Sequence, residues 1–523
     1  MNRKSQPWSL ATLKLPWREA QSLCDLIVKE PWAALPEEDS GTRIKWAAGA
    51  LDGVMGHHAG RGDAAEDSTR VLHSLRGLLA KASDVGLERV YDAVCKTPLL
   101  GYVDQLLPAI ETEFSADKAR LVVLARLFVT KAPHREAVKF GIAILGIAGT
   151  EDDLDVLRKI GLCDEFTLFA AVAIQTLSPA SERDLWELAK GVEGWGRIHL
   201  IERLAHTEDN EIRDWLLREG YRNAVMDEYV ACICARAGKL HEALRRSPKD
   251  DRLLDSAMDL ILAMITGGPA EDIDDFEHAA EAVEAYFDAV WVQESFSPKR
   301  FVVVDRVREW LSSDEGWEKR SRCGWSASNR ERCLAVAQEL LNREGWREQA
   351  IQDLSSTDAG VFHWANRAAR RLGVDTWDVL FARVQRDGIS STLWYELTEA
   401  TDAARIDRLV GFAEQVIPLN EIASGSADEI GLGPGFEPHH TLDWMLQLLD
   451  RFPGRGWKLI RAGLQSPVVR NRNWSLRVFK NWRREEWPPD ALIILRAAAT
   501  TEPDEKLKKE LETCLEMPEG PAR

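Results

Sequence analysis

Thr150-Glu-Asp-Asp-Leu-Asp-Val-Leu157, Ser181-Glu-Arg-Asp-Leu-Trp-Glu-Leu188 and Thr207-Glu-Asp-Asn-Glu-Ile-Arg-Asp-Trp-Leu216 are versions of one pattern, beginning 31 and then 26 residues apart. Each sets a Ser or Thr ahead of early carboxylates and then apolar residues at helical spacing. A hydroxyl there satisfies free amide donors of the first turn, and the acids suit the positive end of the helix. A second apolar helix follows each opening, at 166–177, 197–204 and 225–235. One such pair has too little apolar area to stand alone, so its stability requires stacked neighbours.

The same grammar extends outward. In 255–265 the apolar set Ala257, Met258, Leu260, Ile261 and Ile265 lies on one helical face. The β-branched cluster 302–304 sits inside a longer helical pattern, and alternating strand signals with Asn-Gly turns are absent. Gly, Pro, Asp and Ser punctuate the breaks. The expected fold class is all-α.

Near the C-terminus, Trp457-Lys-Leu-Ile-Arg-Ala-Gly-Leu464, the turn Gln465-Ser-Pro467 and Asn473-Trp-Ser-Leu-Arg-Val-Phe479 repeat the helix–turn–helix plan. A Leu before a short Ser-Pro turn, then VVRNRNWSLRVF (468–479), resembles the turn, inter-repeat Arg and second-helix core of HEAT repeats. The resemblance covers about half the chain and implies a HEAT-like α-solenoid of stacked antiparallel helix pairs. The expected organisation is an N-terminal helical cap (1–60), HEAT-like helical repeats (61–268) and Trp-rich helical repeats (269–418). A Gly-rich loop (419–440) and C-terminal HEAT-like repeats carrying a basic patch (441–523) complete it. A loop as long as 419–440 suggests a functional gate or disorder.

Composition bounds the class. The chain has 523 residues, 45% hydrophobic and 29% charged, enough to bury a large core. Its net charge of -18 argues against nucleic-acid binding over the whole surface, leaving local patches open. Eight scattered cysteines without CxxC read as reduced core thiols. The N-terminus lacks a secretory h-region and no apolar run is long enough for a bilayer, so a cytoplasmic protein without membrane contact is expected.

Charge is patterned locally. Residues 455–484 hold nine basic side chains and no acid, with Trp457, Trp474 and Trp482 interleaved. Arg470, Arg472, Trp474, Arg477, Lys480, Arg483 and Arg484 are the candidate binding residues, since guanidinium forks and indoles hold carboxylates, phosphates or bases. The alternative is that Trp474, Leu476 and Phe479 are core, and that the arginines are solvated or ladder to neighbouring repeats. Residues 253–298 hold eleven carboxylates and no Lys or Arg. That run reads as a solvated face, a site for a basic partner, or a counterpart of the basic run within the molecule or across a dimer. Twenty tryptophans, thirteen of them from Trp291 onward, suit wedges between helices, with exposed ones as partner anchors.

Other constellations are weaker. His57-His58 and His439-His440 lack a known metal-ligand spacing, the second despite Glu437 and Asp443 nearby. His199, Glu202 and His206 fall within one helical face and suit acid–base chemistry, with helix-end packing as the plainer reading. Cys232 and Cys234 point to different faces of one helix. The stretch 431–435, GLGPG, lacks the strand that a dinucleotide loop follows, and Pro434 removes an amide. No P-loop, GxSxG, kinase set or haem-binding Cys pattern is present, and no cofactor or metal is expected.

GWGRIHLIERL (194–204) and WLLREGYRNAVMDEYVACICARAGKL (215–240) resemble bacterial proteins that carry the label limonene hydroxylase, which implies an oxidoreductase. No flavin, nicotinamide, haem or non-haem iron motif accompanies it, and oxygen activation needs such a cofactor. The leading expectation is a non-catalytic bacterial-type scaffold that binds an acidic protein segment or nucleic acid through the basic Trp/Arg surface. The alternatives are that oxidoreductase, and a HEAT-like DNA-binding or DNA-repair protein, whose binding would fall with salt.

Overall fold

The computed structural model describes residues 8–516 apart from 19, 32–34, 37–46, 54–63, 248, 433 and 434. His57 and His58 thus lie outside the described residues. Among those described, regular structure is helical throughout, and the one β-pairing is an isolated parallel bridge between Glu429 and Val468. No described helix is long and apolar enough to cross a membrane. The chain divides into two compact units, Met1–Trp346 and Arg347–Arg523. That division falls inside the segment 269–418 rather than at one of the expected loop boundaries.

In the first unit the helix Arg135–Ala148 is buried continuously from Glu136 to Gly146. Gly141 makes this possible, because a Cβ there would lie 2.8 Å from the Ala125 carbonyl oxygen. The helix packs between Lys118–Lys131 and Asp164–Leu177. From there alternate helices follow one another: Asp164–Leu177 on Trp195–Leu204, then Ala231–Ala237, Asp251–Thr266, Pro298–Ser312 and Ala327–Leu341. The valines 302–304 are buried within Pro298–Ser312. The intervening helices Leu154–Ile160 and Ser181–Lys190 lean on this row.

Arginine–aspartate pairs join successive helices: Arg126 to Asp153 at 2.6 Å, Arg158 to Asp184 at 2.8 Å, Arg183 to Asp209, and Arg218 to Asp250 at 2.8 Å. All four arginines are partly solvated, and such pairs contribute about 0–1 kcal/mol each. Apolar burial therefore carries the row, while the pairs favour its register.

The hydroxyls that announced these helices cap only one of them. Thr150 forms a capping box with Asp153. Ser181 is already inside its helix, whose cap position is Ala180. Ser178 has made the turn by accepting from the Ala180 amide and donating to Asp184. At the third opening Asp209, not Thr207, caps the helix by accepting from the Glu211 and Ile212 amides. A carboxylate two residues further on competes successfully with the hydroxyl.

The acidic run 253–298 is matched inside the same unit. Asp259 meets Lys299 at 2.6 Å, Glu271 and Glu277 meet Arg236 at 2.6 and 3.0 Å, Asp274 meets Arg320 at 2.8 Å, and Asp275 meets Lys319 at 2.7 Å. It is a sewn face, with basic residues from 236 to 319 and beyond as its counter-charge.

In the second unit Trp394–Glu399, Glu437–Leu449, Val469–Asn481 and Glu505–Glu516 again pack in succession, with Trp457–Leu464 and Ala491–Thr501 beside them. Tryptophans wedge this core and their N–H groups are served: Trp377 donates to Thr401 at 2.8 Å, Trp394 to the Gly388 carbonyl at 3.0 Å, and Trp482 to that of Leu449 at 3.0 Å.

The segment 419–440 is not a loop throughout. It opens with a short helix, Leu419–Ile422, and ends inside Glu437–Leu449, which already contains His439 and His440. Between them a strap is stitched to the turn 465–469. Gly425 donates to the Gln465 carbonyl at 2.9 Å, Glu429 to that of Pro467 at 3.1 Å, and Val469 back to that of Glu429 at 3.1 Å. These backbone bonds tie a largely exposed strap to the turn.

Candidate functional site

The basic run occupies Trp457–Leu464, Val469–Asn481 and the turn after it. Along Val469–Asn481 the side chains Asn471, Arg472, Ser475, Leu476, Val478 and Phe479 face inward. Arg470, Arg477 and Lys480, at helical spacing, face outward with Trp474 half-buried beside them. The Arg477 guanidinium lies 4.9 Å from the Trp474 ring centre, a cation–π stack.

Nearly the whole run is neutralised by its own unit. Arg455 pairs with Asp407 at 3.0 Å, Lys458 with Glu414 at 2.8 Å, Arg470 with Asp443, Arg477 with Asp450 at 3.4 Å, Lys480 with Glu510 at 2.7 Å and Arg483 with Glu486 at 3.2 Å. Arg484 lies 4.1 Å from the Trp487 ring centre. A sequence count of nine basic residues without an acid thus overstates the field, because the answering acids come from neighbouring helices.

Arg472 is corrected most sharply. It is 1% exposed and no docking residue. Its Nε and Nη2 donate to the two carboxylate oxygens of buried Glu502, both at 2.7 Å. Nη1 reaches the carbonyls of Ala427 and Ser466 at 2.8 Å and of Pro467 at 3.0 Å. One guanidinium thereby clamps the strap, the turn and the helix end before Glu502.

The histidine candidates are also structural. His439 Nδ1 lies 2.7 Å from Asn471 Oδ1 and 3.2 Å from Ser466 Oγ, and all three residues are buried. Asn471 donates to Asp443 at 2.6 Å, and burial pushes the Asp443 carboxyl up despite Arg470 beside it. This closed network holds the helix Glu437–Leu449 to its neighbour. His199 is buried, with Nδ1 3.4 Å from Glu202. The helix ends at Leu204, leaving His206 exposed beyond it, so the three-residue face does not form. Cys232 and Cys234 are both buried.

A second buried cation was not apparent in the sequence. Lys139 Nζ lies 2.6 Å from Asp52, 2.7 Å from Glu165 and 3.2 Å from Glu136. Burial opposes its charge, but Glu136, Glu165 and Asp52 outweigh this and hold the ammonium protonated. It is therefore an anchor and not a nucleophile. Burial also raises Asp52 to about 6, whereas Lys139, Arg135 and the Gly49 amide hold Glu165 below its ordinary value against the same burial.

Sequence reasoning also passed over a cleft in the second unit, lined by Phe362, His363, Arg383, Thr392 and Glu396 among others. His363 Nδ1 lies 3.1 Å from Glu396, and Asn366 also donates to that carboxylate. His363 is 33 residues from its partner, so no local motif marks the pair. No protein-family model matches this chain, and no curated protein matches its sequence.

Proposed function

We propose that this chain is a cytoplasmic, non-catalytic scaffold of stacked, HEAT-like helix pairs. It binds an acidic segment of a partner protein through the outward face of its C-terminal helices. The observation that carries the reading is the succession of alternate helices, joined by Arg–Asp pairs from Arg126–Asp153 to Arg218–Asp250. That is the internal economy of a repeat array, in which each unit contacts its neighbours and the outer face stays available.

On that face Arg470, Trp474, Arg477, Lys480 and Arg483 are the docking set, with buried Arg472 removed and Arg484 left out because it stacks on Trp487. Arg477 is 57% exposed and Arg483 63%. Their intramolecular pairs are worth about 0–1 kcal/mol, so a partner's carboxylates can replace Asp450 and Glu486 at little cost. The stacked Trp474 adds a flat apolar contact.

The test is purification from native cells at low salt, with mass spectrometry and ultraviolet absorbance before and after a salt wash. An acidic protein released by salt is expected with the wild type and not with Arg477→Gln/Arg483→Gln, at unchanged helicity. A partner retained by the double variant overturns the docking assignment. Co-eluting nucleic acid would favour the phosphate-binding reading, and a bound chromophore the oxidoreductase reading.

A further inference from the structure

Most arginines discussed so far have a carboxylate. Arg383 does not. It lies on the helix Trp377–Asp387, half-buried, with its guanidinium carbon 3.6 Å from the Phe362 ring centre. Nη2 donates to the Ser356 carbonyl, and no acidic side chain pairs with it among the described residues. Asp387, whose charge acts on Arg383, is engaged by Arg386 at 2.8 Å. Burial lowers the Arg383 pKa, with Arg386 adding to the effect, so this cation is held in a poorer environment than water offers.

The guanidinium borders the cleft of about 420 Å³, a volume within the range of small-molecule sites. Phe362, Leu393 and Ala359 supply its apolar walls, and Ser390, Ser391 and Thr392 its hydroxyls. Glu396 also lines it and is kept ionised, since His363 and Asn366 outweigh the burial that would raise it. Asp387 stands at the same cleft. An unpaired fork matches a carboxylate with two parallel hydrogen bonds. Two nearby carboxylates repel a phosphate dianion more strongly than a monoanion.

We propose that this cleft binds a small organic monocarboxylate. Its carboxylate meets Arg383 and the hydroxyls of the 390–392 turn, and its apolar body lies against Phe362 and Leu393. The site belongs to a different group of helices from the docking face and does not depend on it.

Calorimetric titration of the full chain with benzoate, hexanoate, the neutral analogue benzamide and inorganic phosphate tests this directly. Saturable binding of at least one carboxylate is expected, with benzamide weaker than benzoate by about ten- to a hundredfold because the charge-assisted bonds are lost. Arg383→Gln should weaken carboxylate binding by a similar factor, while Arg477→Gln, on the docking face and outside the cleft, leaves it within about threefold. The benzoate–benzamide comparison needs no variant and stands even if Arg383→Gln fails to fold. Equal binding of benzoate and benzamide, binding of phosphate alone, or no saturable binding by either carboxylate overturns the proposal.

Discussion

Lys139 in the first unit and Arg472 in the second are each 1% exposed, and their surroundings solve the same problem differently. Arg472 faces one carboxylate in fork-to-fork register and spends its remaining donors on three carbonyls. Its charge is balanced one to one. Lys139 is a point charge encircled by Asp52, Glu136 and Glu165, with Arg135 reaching Glu165 at 3.3 Å. Three acids against two bases leave an excess, and burial places it on Asp52, whose carboxyl is raised to about 6. Directional donors allow a stoichiometric seal, while an ammonium gathers acids and leaves one of them ready to protonate.

The strongest way to break this comparison is Arg472→Met. Glu502 then remains buried without its cation, and a loss of about 3–5 kcal/mol is expected in urea unfolding of the second unit. Adding Glu502→Leu should recover the carboxylate's share but leave the three carbonyls unserved. A single substitution costing no more than a surface change would show that the clamp is idle.

The Lys139 cluster is sharpened by pH. Asp52 is raised from 3.8 to about 6, so the stability it contributes is complete below 3.8 and is lost as pH rises through about 6. Glu165 has the opposite sign: its contribution is present above the ordinary value of 4.5 and fades as pH falls through its lowered one. Relative to wild type, Asp52→Asn should therefore gain stability as pH rises from about 3.8 to about 6 and level off above that, read from urea midpoints. A constant difference would mean that Asp52 does not titrate there.

The strap comes next. Gly431 has φ +74°, and a Cβ would sit 2.6 Å from a Val468 methyl. Gly431→Ala should cost about 1–3 kcal/mol and speed hydrogen exchange at the amides of Gly425, Glu429 and Val469. The smallest effect is expected in the solvated ladder. A double-mutant cycle on Arg158 and Asp184 should give a coupling below about 1 kcal/mol, in contrast to the buried clamp.

Part of the candidate site was visible in the sequence and read too simply. Arg472 stands four residues before Leu476 and seven before Phe479, on the apolar stripe of its helix, where an arginine must be buried with a partner or bend away. The stripe was legible; Glu502, thirty residues on, was not. The 419–440 segment likewise had the glycines of a loop, but its hydrogen-bond partners lie in 465–469. Arg383 gave no local signal at all, since it is distinguished by the acid it lacks, and the cleft exists only once 359–371 and 388–396 are brought together.

By itself the sequence determined that this is a helical protein, because apolar residues at 3.6-residue spacing and the absence of alternating runs act locally, within each segment. It also placed the valines 302–304 in a helix and foresaw indoles as wedges such as Trp377 and Trp394. Tertiary structure alone decided which charges are spent. The basic run acquired acids from 407, 414, 443, 450, 502 and 510, and the acidic run acquired bases from 236, 299, 319 and 320. Helical periodicity is a short-range property of the chain, whereas an ion pair joins atoms that only packing brings within a few ångströms.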